Sequence, residues 1–201
     1  MSDFKQTWWD DVLPSKWAEF ESWIGSSAAT TKAYSRAHIK NKGYKSLIDL
    51  GCGNATEYFA YKEEYPELNY IGVDSSKFLF KRNTDLEIPM ILAEADSVPL
   101  PDNAVEVVFV RHVLEHQPTY VPIMNEMIRL AEKEAIHIFF IKPDEQPTYI
   151  NFDPAQNLFH NRYNIGEMEE FLRSHKDVES FSWVDLTEYE KGLSIIKKAS
   201  N

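Results

Sequence analysis

A short turn with two glycines follows the first apolar segment that is typical of a β-strand. Asp49, Gly51 and Gly53 lie in the run DLGCGNA, and Asp49 is itself part of the preceding strand-like segment SLIDL. Ligands of open parallel sheets bind at the carboxyl ends of strands, where glycines allow a sharp turn and a close approach of the backbone. Many strand-to-helix turns contain two glycines, so an ordinary tight turn is the better interpretation of Gly51-Cys52-Gly53 by itself.

A second feature is an acidic residue at the end of the next predicted strand. Asp74 follows the run YIGV, about 20 residues after the glycine turn, where a carboxylate can accept hydrogen bonds from both ribose hydroxyls. Asp74 or Ser75 could instead cap the next helix, and both roles are compatible if Ser75 or Ser76 is the cap. The order of strand, glycine turn, helix, strand and acid predicts a cofactor that contains a nucleoside.

The residues around the turn favour a cofactor with an adenosine but without phosphates. A dinucleotide-binding turn has a third glycine, in the pattern G-x-G-x-x-G, where this chain has Thr56. Asp49 lies two residues before Gly51, and a negative charge there would not help to hold a pyrophosphate. It could instead face an ammonium group of the ligand or orient the turn.

The elements that must position these residues alternate between strands and helices. The predicted helices span residues 55–65, 76–85, 119–132 and 165–174, and the predicted strands span 46–50, 69–73, 90–93, 105–110, 135–141, 178–186 and 193–197. This alternation predicts an α/β fold with a Rossmann-like, doubly wound, seven-stranded and mostly parallel sheet with helices on both faces. Only Thr187 to Gly192 separate the last two strands, so we expect an antiparallel C-terminal hairpin.

Residues 1–45 are predicted to form a helical N-terminal extension of the same domain as residues 46–201. One helix is expected to begin at Leu13-Pro14-Ser15 and to end at Gly25, and a second to run from 27 to 41. We expect this extension to cap the acceptor side of the site.

Composition excludes several classes of protein. The 201 residues are 43% apolar and 26% charged, as in soluble globular domains, and no run of 18 apolar residues predicts a transmembrane helix. The single cysteine, Cys52, excludes an internal disulfide and a multi-cysteine zinc site, and no secretory signal is evident, so a cytoplasmic location is expected. A net charge of −11 opposes binding to phosphate backbones, so a nucleic-acid partner is not expected.

Four motifs together resemble the successive motifs of class I S-adenosylmethionine-dependent methyltransferases, and of the small type 11 branch in particular. They are DLGCGNA at 49–55, VD at 73–74, ADSVPLPD at 95–102 and VRHVLEH at 110–116. The resemblance covers roughly residues 44–142, and the order of elements matches as far as residue 198. It implies S-adenosyl-L-methionine as cofactor, S-adenosyl-L-homocysteine as product, and methyl transfer to an acceptor that we expect to be a small molecule.

The resemblance also implies how the cofactor is held at its methionine and ribose ends. The Gly51–Gly53 turn, with Cys52 as its small middle residue, would carry the methionine portion, and Asp49 would lie near its amino group. Asp74, with Ser75 beside it, would hold the ribose hydroxyls.

At the adenine end, the resemblance implies that Asp96 accepts a hydrogen bond from the adenine amino group. Ser97 and Val98 would lie beside the ring. Arg111 and His112, directly after the fourth strand, would line the pocket for methyl transfer and contact the cofactor.

Two histidines, His112 and His160, are candidate catalytic bases, which are needed only if the acceptor loses a proton in the transition state. The run from His112 to His116 also has the spacing H-x-x-E-H of an inverted zinc-protease motif. We reject a metal site because the segment follows a buried strand, is broken at Pro118 shortly after the run, and is followed by no clear third ligand on a long helix. Glu115 and His116 are expected to fix the loop by hydrogen bonds.

The segment from Asp144 to Tyr163 is predicted to form part of the acceptor pocket, because it is long, interrupted by prolines and follows the fifth strand. The Asn/Asp-Pro-Pro-Tyr/Phe motif of base methyltransferases is absent after the fourth strand, which argues against a DNA base as acceptor. Two other functions stay open: a nucleotide-dependent oxidoreductase, disfavoured by Thr56 and the seven-stranded ending, and a non-catalytic S-adenosylmethionine-binding or scaffold protein.

Overall fold

The computed structural model describes residues 8–24 and 30–199 of the chain. Its helices are α1 (Trp8–Asp11), α2 (Trp17–Ile24), α3 (Thr30–Lys42), α4 (Thr56–Glu64), α5 (Lys77–Asp85), α6 (Val121–Leu130) and α7 (Ile165–Ser174). Short 3-10 turns lie at Leu13–Lys16 and Leu114–His116. The strands are β1 (Ser46–Leu50), β2 (Asn69–Asp74), β3 (Met90–Leu92), β4 (Val105–Arg111), β5 (Ala131–Phe139), β6 (Phe152–Asp153), β7 (Leu158–Phe159), β8 (Val178–Asp185) and β9 (Lys191–Lys197).

Seven of these strands form one sheet in the order β3-β2-β1-β4-β5-β9-β8. The five strands from β3 to β5 are parallel, whereas β9 pairs antiparallel with both β5 and β8. The predicted Rossmann-like sheet with an antiparallel C-terminal hairpin is therefore confirmed. The chain order reverses between β1 and β4, and the carboxyl ends of these two strands are where an open α/β sheet binds its ligands.

Alternate residues of the central strands pack into two apolar cores, one on each face of the sheet. Ile48 and Val108 belong to the core that α6 covers, and Leu47 and Phe109 belong to the core under α3 and α4. Because both faces are buried, β1 and β4 are nearly continuous apolar runs, as parallel strands require.

The fifth strand begins earlier than predicted. The helix expected over 119–132 ends at Leu130, and β5 starts at Ala131, which pairs with Val105, instead of at residue 135. The run EKE at 132–134 carries no strand signal, yet Glu134 is fully buried and accepts a hydrogen bond from the Tyr44 hydroxyl at 2.7 Å. A buried carboxylate that is hydrogen-bonded can occupy a position in a strand, although a charged residue in the sequence does not predict a strand there.

The first part of the N-terminal extension, from Trp8 to Trp17, packs on α5. Leu13 is fully buried against Leu79, with Trp8, Trp9 and Trp17 around them. The predicted first helix begins as a 3-10 turn before α2, the turn of helix in α1 was not predicted, and the second helix is observed over α3. The predicted stop at Gly25 and the start of the second helix at 27 lie outside the described residues.

Candidate functional site

The glycine turn after β1 is built by backbone hydrogen bonds to β2. The amides of Gly51 and Cys52 donate to the Val73 carbonyl at 2.8 and 3.1 Å. Gly51 has a φ of +75°, and a Cβ placed on it would lie 2.5 Å from Cγ2 of Val113. This position therefore requires glycine, both for its conformation and for the approach of the segment after β4.

Asp74 ties the glycine turn to the end of β2. One oxygen of its carboxylate accepts from the Gly53 amide at 2.9 Å, and the other accepts from the Ser76 amide at 2.9 Å. The Ser76 hydroxyl accepts from the Leu79 amide and is the cap of α5. A carboxylate has further lone pairs, so both oxygens can still accept from a ligand. Burial raises the pKa of Asp74 to about 6.

Asp49 lies beneath the turn and is nearly inaccessible to solvent. Its carboxylate accepts from the Tyr70 hydroxyl at 2.7 Å, and burial raises its pKa to about 7. Lys32 of α3 reaches the same region, where its ammonium group donates to the Thr56 hydroxyl at 2.8 Å. The carboxylate of Asp49 is thus oriented by Tyr70 of the neighbouring strand β2.

Cys52 packs its sulfur 3.7 Å from the sulfur of Met90. Burial raises the pKa of the Cys52 thiol well above its usual value. The thiol is therefore protonated at neutral pH and is not poised for nucleophilic attack.

The loop after β3 begins beside Asp74, because the Ala93 amide donates to the Asp74 carbonyl at 3.1 Å. Asp96 and Ser97 are exposed, and Val98 is buried. The Val98 amide donates to Glu126 of α6 at 2.7 Å, and Arg129 of α6 donates to the Val98 carbonyl at 3.0 Å.

This fixation of the 96–98 loop was not anticipated. Glu126 and Arg129 form an ion pair at 2.7 Å on a helix that otherwise presents apolar residues to the core. Their spacing of three on an apolar helix is the signal that could have revealed them. Ser75, between Asp74 and the cap, is half-buried.

At the end of β4, Arg111 and His112 converge on one carboxylate. Oε1 of Glu190 lies 3.0 Å from Nη2 of Arg111 and 2.8 Å from Nε2 of His112. The Thr31 hydroxyl of α3 donates to the same oxygen at 3.1 Å. Glu190 belongs to the turn between β8 and β9, and none of the sequence motifs points to it.

A group of aromatic and imidazole rings extends this edge toward the predicted acceptor segment. The ring centroid of Phe140 is 5.1 Å from those of His112 and His116, and His116 is 5.2 Å from His160. Trp9 of α1 lies 6.2 Å from His116. The two predicted catalytic histidines are therefore joined through Phe140 and His116 and make no direct ring contact in the described part of the chain. Burial lowers the pKa of His116 to about 4.

The segment from 144 to 163 is ordered against the turn that follows β4. The Tyr163 hydroxyl donates to the Leu114 carbonyl at 2.8 Å, and the Asn161 amide donates to the Glu115 carbonyl at 2.9 Å. His116 bonds through Nδ1 to the Phe159 carbonyl at 2.8 Å. The segment contains the β6–β7 hairpin, which the sequence did not predict.

Glu115 is a fully buried carboxylate whose two oxygens differ. Oε1 accepts from the Phe140 amide at 2.6 Å, whereas Oε2 has no hydrogen-bond partner among the described residues. The nearest cationic candidate, Nε2 of His137, is 3.9 Å away, and burial lowers the pKa of that imidazole well below its usual value. Burial raises the pKa of Glu115 to about 8.

We expect Glu115→Gln to remove a pH dependence of stability. The folded protein holds a proton on Glu115 between pH 4.5 and about 8 that the unfolded chain has released, so the stability contributed by this group falls as pH rises through that window. The slope is at most about 1.4 kcal/mol per pH unit. A glutamine side chain can still accept the hydrogen bond from the Phe140 amide. Urea unfolding should therefore show that the free energy of unfolding of the variant rises relative to that of the wild type as pH rises.

The matched control for that measurement is Glu179→Gln, which replaces an exposed glutamate on β8. Its difference from the wild type should stay constant with pH. A constant difference for Glu115→Gln as well would show that Glu115 is ionised in the folded protein throughout.

Among residues 8–24 and 30–199, no group of three or more His, Cys, Asp or Glu side chains is arranged so that it could hold a metal ion. In the same ranges, no helix combines the length and the apolar character needed to cross a membrane.

Comparison with known proteins supports the fold and the region of the motifs. Residues 48–139 match the model of a family described as a methyltransferase domain. No curated protein shows significant sequence similarity to this chain.

Three of the solved structures that resemble this chain match it over nearly its whole length. The 1,6-didemethyltoxoflavin-N1-methyltransferase of Burkholderia thailandensis, with bound 1,6-didemethyltoxoflavin and S-adenosylhomocysteine, is 12% identical with a TM-score of 0.67, over 94% of this chain and 86% of its own. The plantazolicin methyltransferase BpumL, in complex with a triazolic desmethylPZN analog and S-adenosylhomocysteine, is 13% identical with a TM-score of 0.67, over 96% and 93%. A putative methyltransferase from a complex with the Haloferax volcanii Trm112 activator is 11% identical with a TM-score of 0.67, over 95% and 97%. At these identities the likeness establishes the fold.

Proposed function

We propose that this chain, a class I S-adenosylmethionine-dependent methyltransferase similar to the type 11 branch, transfers the methyl group to a small-molecule acceptor at the edge where β1 and β4 end. The main support for a cofactor site at this edge is the pair of hydrogen bonds from the Gly53 and Ser76 amides to Asp74. They hold a carboxylate with free lone pairs beside a glycine turn at the point where the chain order reverses.

The residues present fit the cofactor. S-adenosylmethionine supplies a methyl group that its sulfonium charge has already activated. Gly51 lets the chain turn sharply at the end of β1, and Asp74 offers two acceptor oxygens for ribose hydroxyls. The Asp96 carboxylate makes no hydrogen bond within the described residues and can accept from an adenine amino group. Ser75, Ser97 and Val98 complete the proposed adenosine contacts.

The protein's part in the transfer is alignment and exclusion of water. Arg111 and His112 line one side of the proposed transfer pocket, and the segment from 144 to 163 lines another with aromatic side chains such as Phe159. We propose that the N-terminal extension covers this pocket. Two contacts support that role: Trp9 meets the ring of His116, and the Asp10 carboxylate accepts from the Ser76 hydroxyl at 2.7 Å.

A small acceptor fits the charge of the protein and its structural relatives. The net charge of −11 disfavours polyanionic acceptors and favours small or cationic ones. Two of the similar structures hold small organic compounds beside S-adenosylhomocysteine, namely 1,6-didemethyltoxoflavin and a desmethylPZN analog. The one free thiol, Cys52, is compatible with the cytoplasmic location that we propose.

Calorimetry tests the cofactor site first. We expect S-adenosylhomocysteine to bind one site per chain and NADH to show no binding, because the turn lacks the third glycine of dinucleotide sites. NADH binding without S-adenosylhomocysteine binding would favour the oxidoreductase. Formation of S-adenosylhomocysteine with a panel of phenols, heteroaromatic N–H compounds and amines then separates an enzyme from a non-catalytic binding protein.

A further inference from the structure

Glu190 is brought to the site by the direction of β9. The parallel strands end at the ligand-binding edge, and β9 begins there because it pairs antiparallel with β5, with Lys191 opposite Phe139. The turn before β9 is fixed by its own hydrogen bonds, from the Glu190 amide to the Thr187 hydroxyl at 2.9 Å and from the Leu186 amide to the Glu190 carbonyl at 3.0 Å. The Glu190 carboxylate is therefore a fixed part of the edge at which β4 ends.

His112 is held in an unusual conformation beside it. Its φ is +59°, in the left-handed region, which costs energy for a residue other than glycine and is often found at functional sites. Its amide donates to the Ile138 carbonyl at 2.9 Å, and Val113, the next residue, packs against Gly51. The strained backbone directs the ring between Glu190 and Phe140, at the predicted transfer pocket.

The two nitrogens of the His112 ring differ. Nε2 lies 2.8 Å from Glu190, whereas Nδ1 has no hydrogen-bond partner among the described residues, and the side chain is 26% exposed. A carboxylate bonded to Nε2 favours the tautomer in which Nε2 carries the proton, which leaves a lone pair on Nδ1. The ring therefore carries an unprotonated nitrogen that makes no hydrogen bond among the described residues and can accept a proton.

Burial is the main reason why this ring stays neutral. Burial lowers the pKa of His112 below 6.5, and the Arg111 charge adds to this, while the Glu190 hydrogen bond opposes it. Burial raises the pKa of Glu190, but the His112 hydrogen bond and the Arg111 charge outweigh it and leave that pKa lowered. The titratable or charged groups around His112 are Lys32 from α3, Arg111 from β4, His116 from the following turn, His137 from β5 and Glu190 from the β8–β9 turn.

We propose that His112 is the general base of methyl transfer and that Glu190 is the positioning residue that orients it. The proposal rests on the proposed function and names its substrate class: an acceptor with a dissociable O–H or N–H. The acceptor oxygen or nitrogen forms a bond to the methyl carbon as the carbon–sulfur bond breaks and leaves its electron pair on sulfur. The acceptor proton passes to Nδ1 of His112 and from there to solvent.

Ring-nitrogen NMR of the histidine-labelled protein with S-adenosylhomocysteine tests the orientation without turnover. The wild type should show neutral His112 with the proton on Nε2 at neutral pH. Glu190→Gln should lose this single tautomer, because a carboxamide can also donate to Nε2. Glu188→Gln, an exposed glutamate in the same turn, should leave the His112 signals unchanged. A wild-type ring with its proton on Nδ1, or an unchanged tautomer in Glu190→Gln, would overturn the dyad.

Turnover is then measured with phenol and 4-methylphenol, whose hydroxyl groups stay protonated at neutral pH, and with pyridine as a probe that has no proton to lose. His112→Asn, which tolerates a positive φ, should lower kcat for the two protic probes by about 10²–10⁴-fold. Glu190→Gln should lower kcat by at least about tenfold and move the rising limb of the pH profile to lower pH, because its charge no longer supports the imidazolium. Glu188→Gln should do neither.

The outcomes separate the two proposals. If the wild type does not bind S-adenosylhomocysteine, the proposed function itself is refuted. Two outcomes would refute only the general base. One is normal S-adenosylhomocysteine binding with an unchanged pH profile in Glu190→Gln. The other is a loss of kcat in His112→Asn that is as large for pyridine as for the two protic probes. If none of the three probes is methylated, the tautomer measurement decides.

Discussion

Gly51→Val should abolish binding of S-adenosylhomocysteine, with affinity reduced by more than about a hundredfold, or about 2.8 kcal/mol. The φ of +75° at Gly51 is costly for a β-branched residue, by roughly 1–2 kcal/mol, and the new Cβ would lie 2.5 Å from Cγ2 of Val113. To relieve that contact the turn must move away from Val113, which displaces the Gly51–Gly53 backbone that we propose holds the methionine end of the cofactor. Calorimetry measures the loss, and circular dichroism reports whether the variant is folded.

Gly43 offers a matched control. It has a nearly equal φ of +71°, but a Cβ there has no atom within 4 Å, and it lies before β1, away from the site. Gly43→Val should therefore lose some stability and keep its affinity. In the double variant Gly51→Val with Val113→Ala, the clash is relieved, so stability should recover while binding stays weak. Native affinity in folded Gly51→Val would show that the glycine serves only the turn.

Asp74→Ala should weaken S-adenosylhomocysteine binding by tenfold to several hundredfold. Each charge-assisted hydrogen bond to a ribose hydroxyl contributes about 1.5–3 kcal/mol, and the Gly53 and Ser76 amides also lose their acceptor. Methylthioadenosine, which keeps the ribose, should lose affinity by a similar factor. Asp85→Ala, which removes an exposed carboxylate from the other end of α5, should bind normally. Normal binding by Asp74→Ala would refute the ribose assignment.

The Asp74 carboxylate should also make S-adenosylhomocysteine binding depend on pH. Because burial raises the pKa of Asp74 to about 6, its protonation should weaken S-adenosylhomocysteine binding as pH falls through that value. Asp74→Asn carries no titratable group there, so its weaker affinity should change little across the same range.

Local patterns were sufficient to predict most elements. Strand β1, helix α7 and the antiparallel β8–β9 hairpin follow from apolar runs, helix stop signals and a short connection, which depend on neighbouring residues. The same reasoning failed at β5, because the burial of Glu134 depends on Tyr44, 90 residues earlier in the chain. It also left the stretch after β5 without structure, because the anchors of that stretch, Asn161 and Tyr163, bond to the distant turn after β4.

The class of fold and the edge that carries the motifs could be predicted from local patterns, because the ends of successive parallel strands share one edge whatever their exact packing. The type of cofactor followed from the residue types in those motifs. Which side chains meet at that edge depends on contacts between residues that are far apart in the chain. Glu190 reaches His112 across 78 residues because β9 runs against β5, and its turn therefore falls on the same edge. The tautomer of His112, the raised pKa of Glu115 and the strain at residue 112 depend on burial and on partners from other strands, which no local pattern encodes.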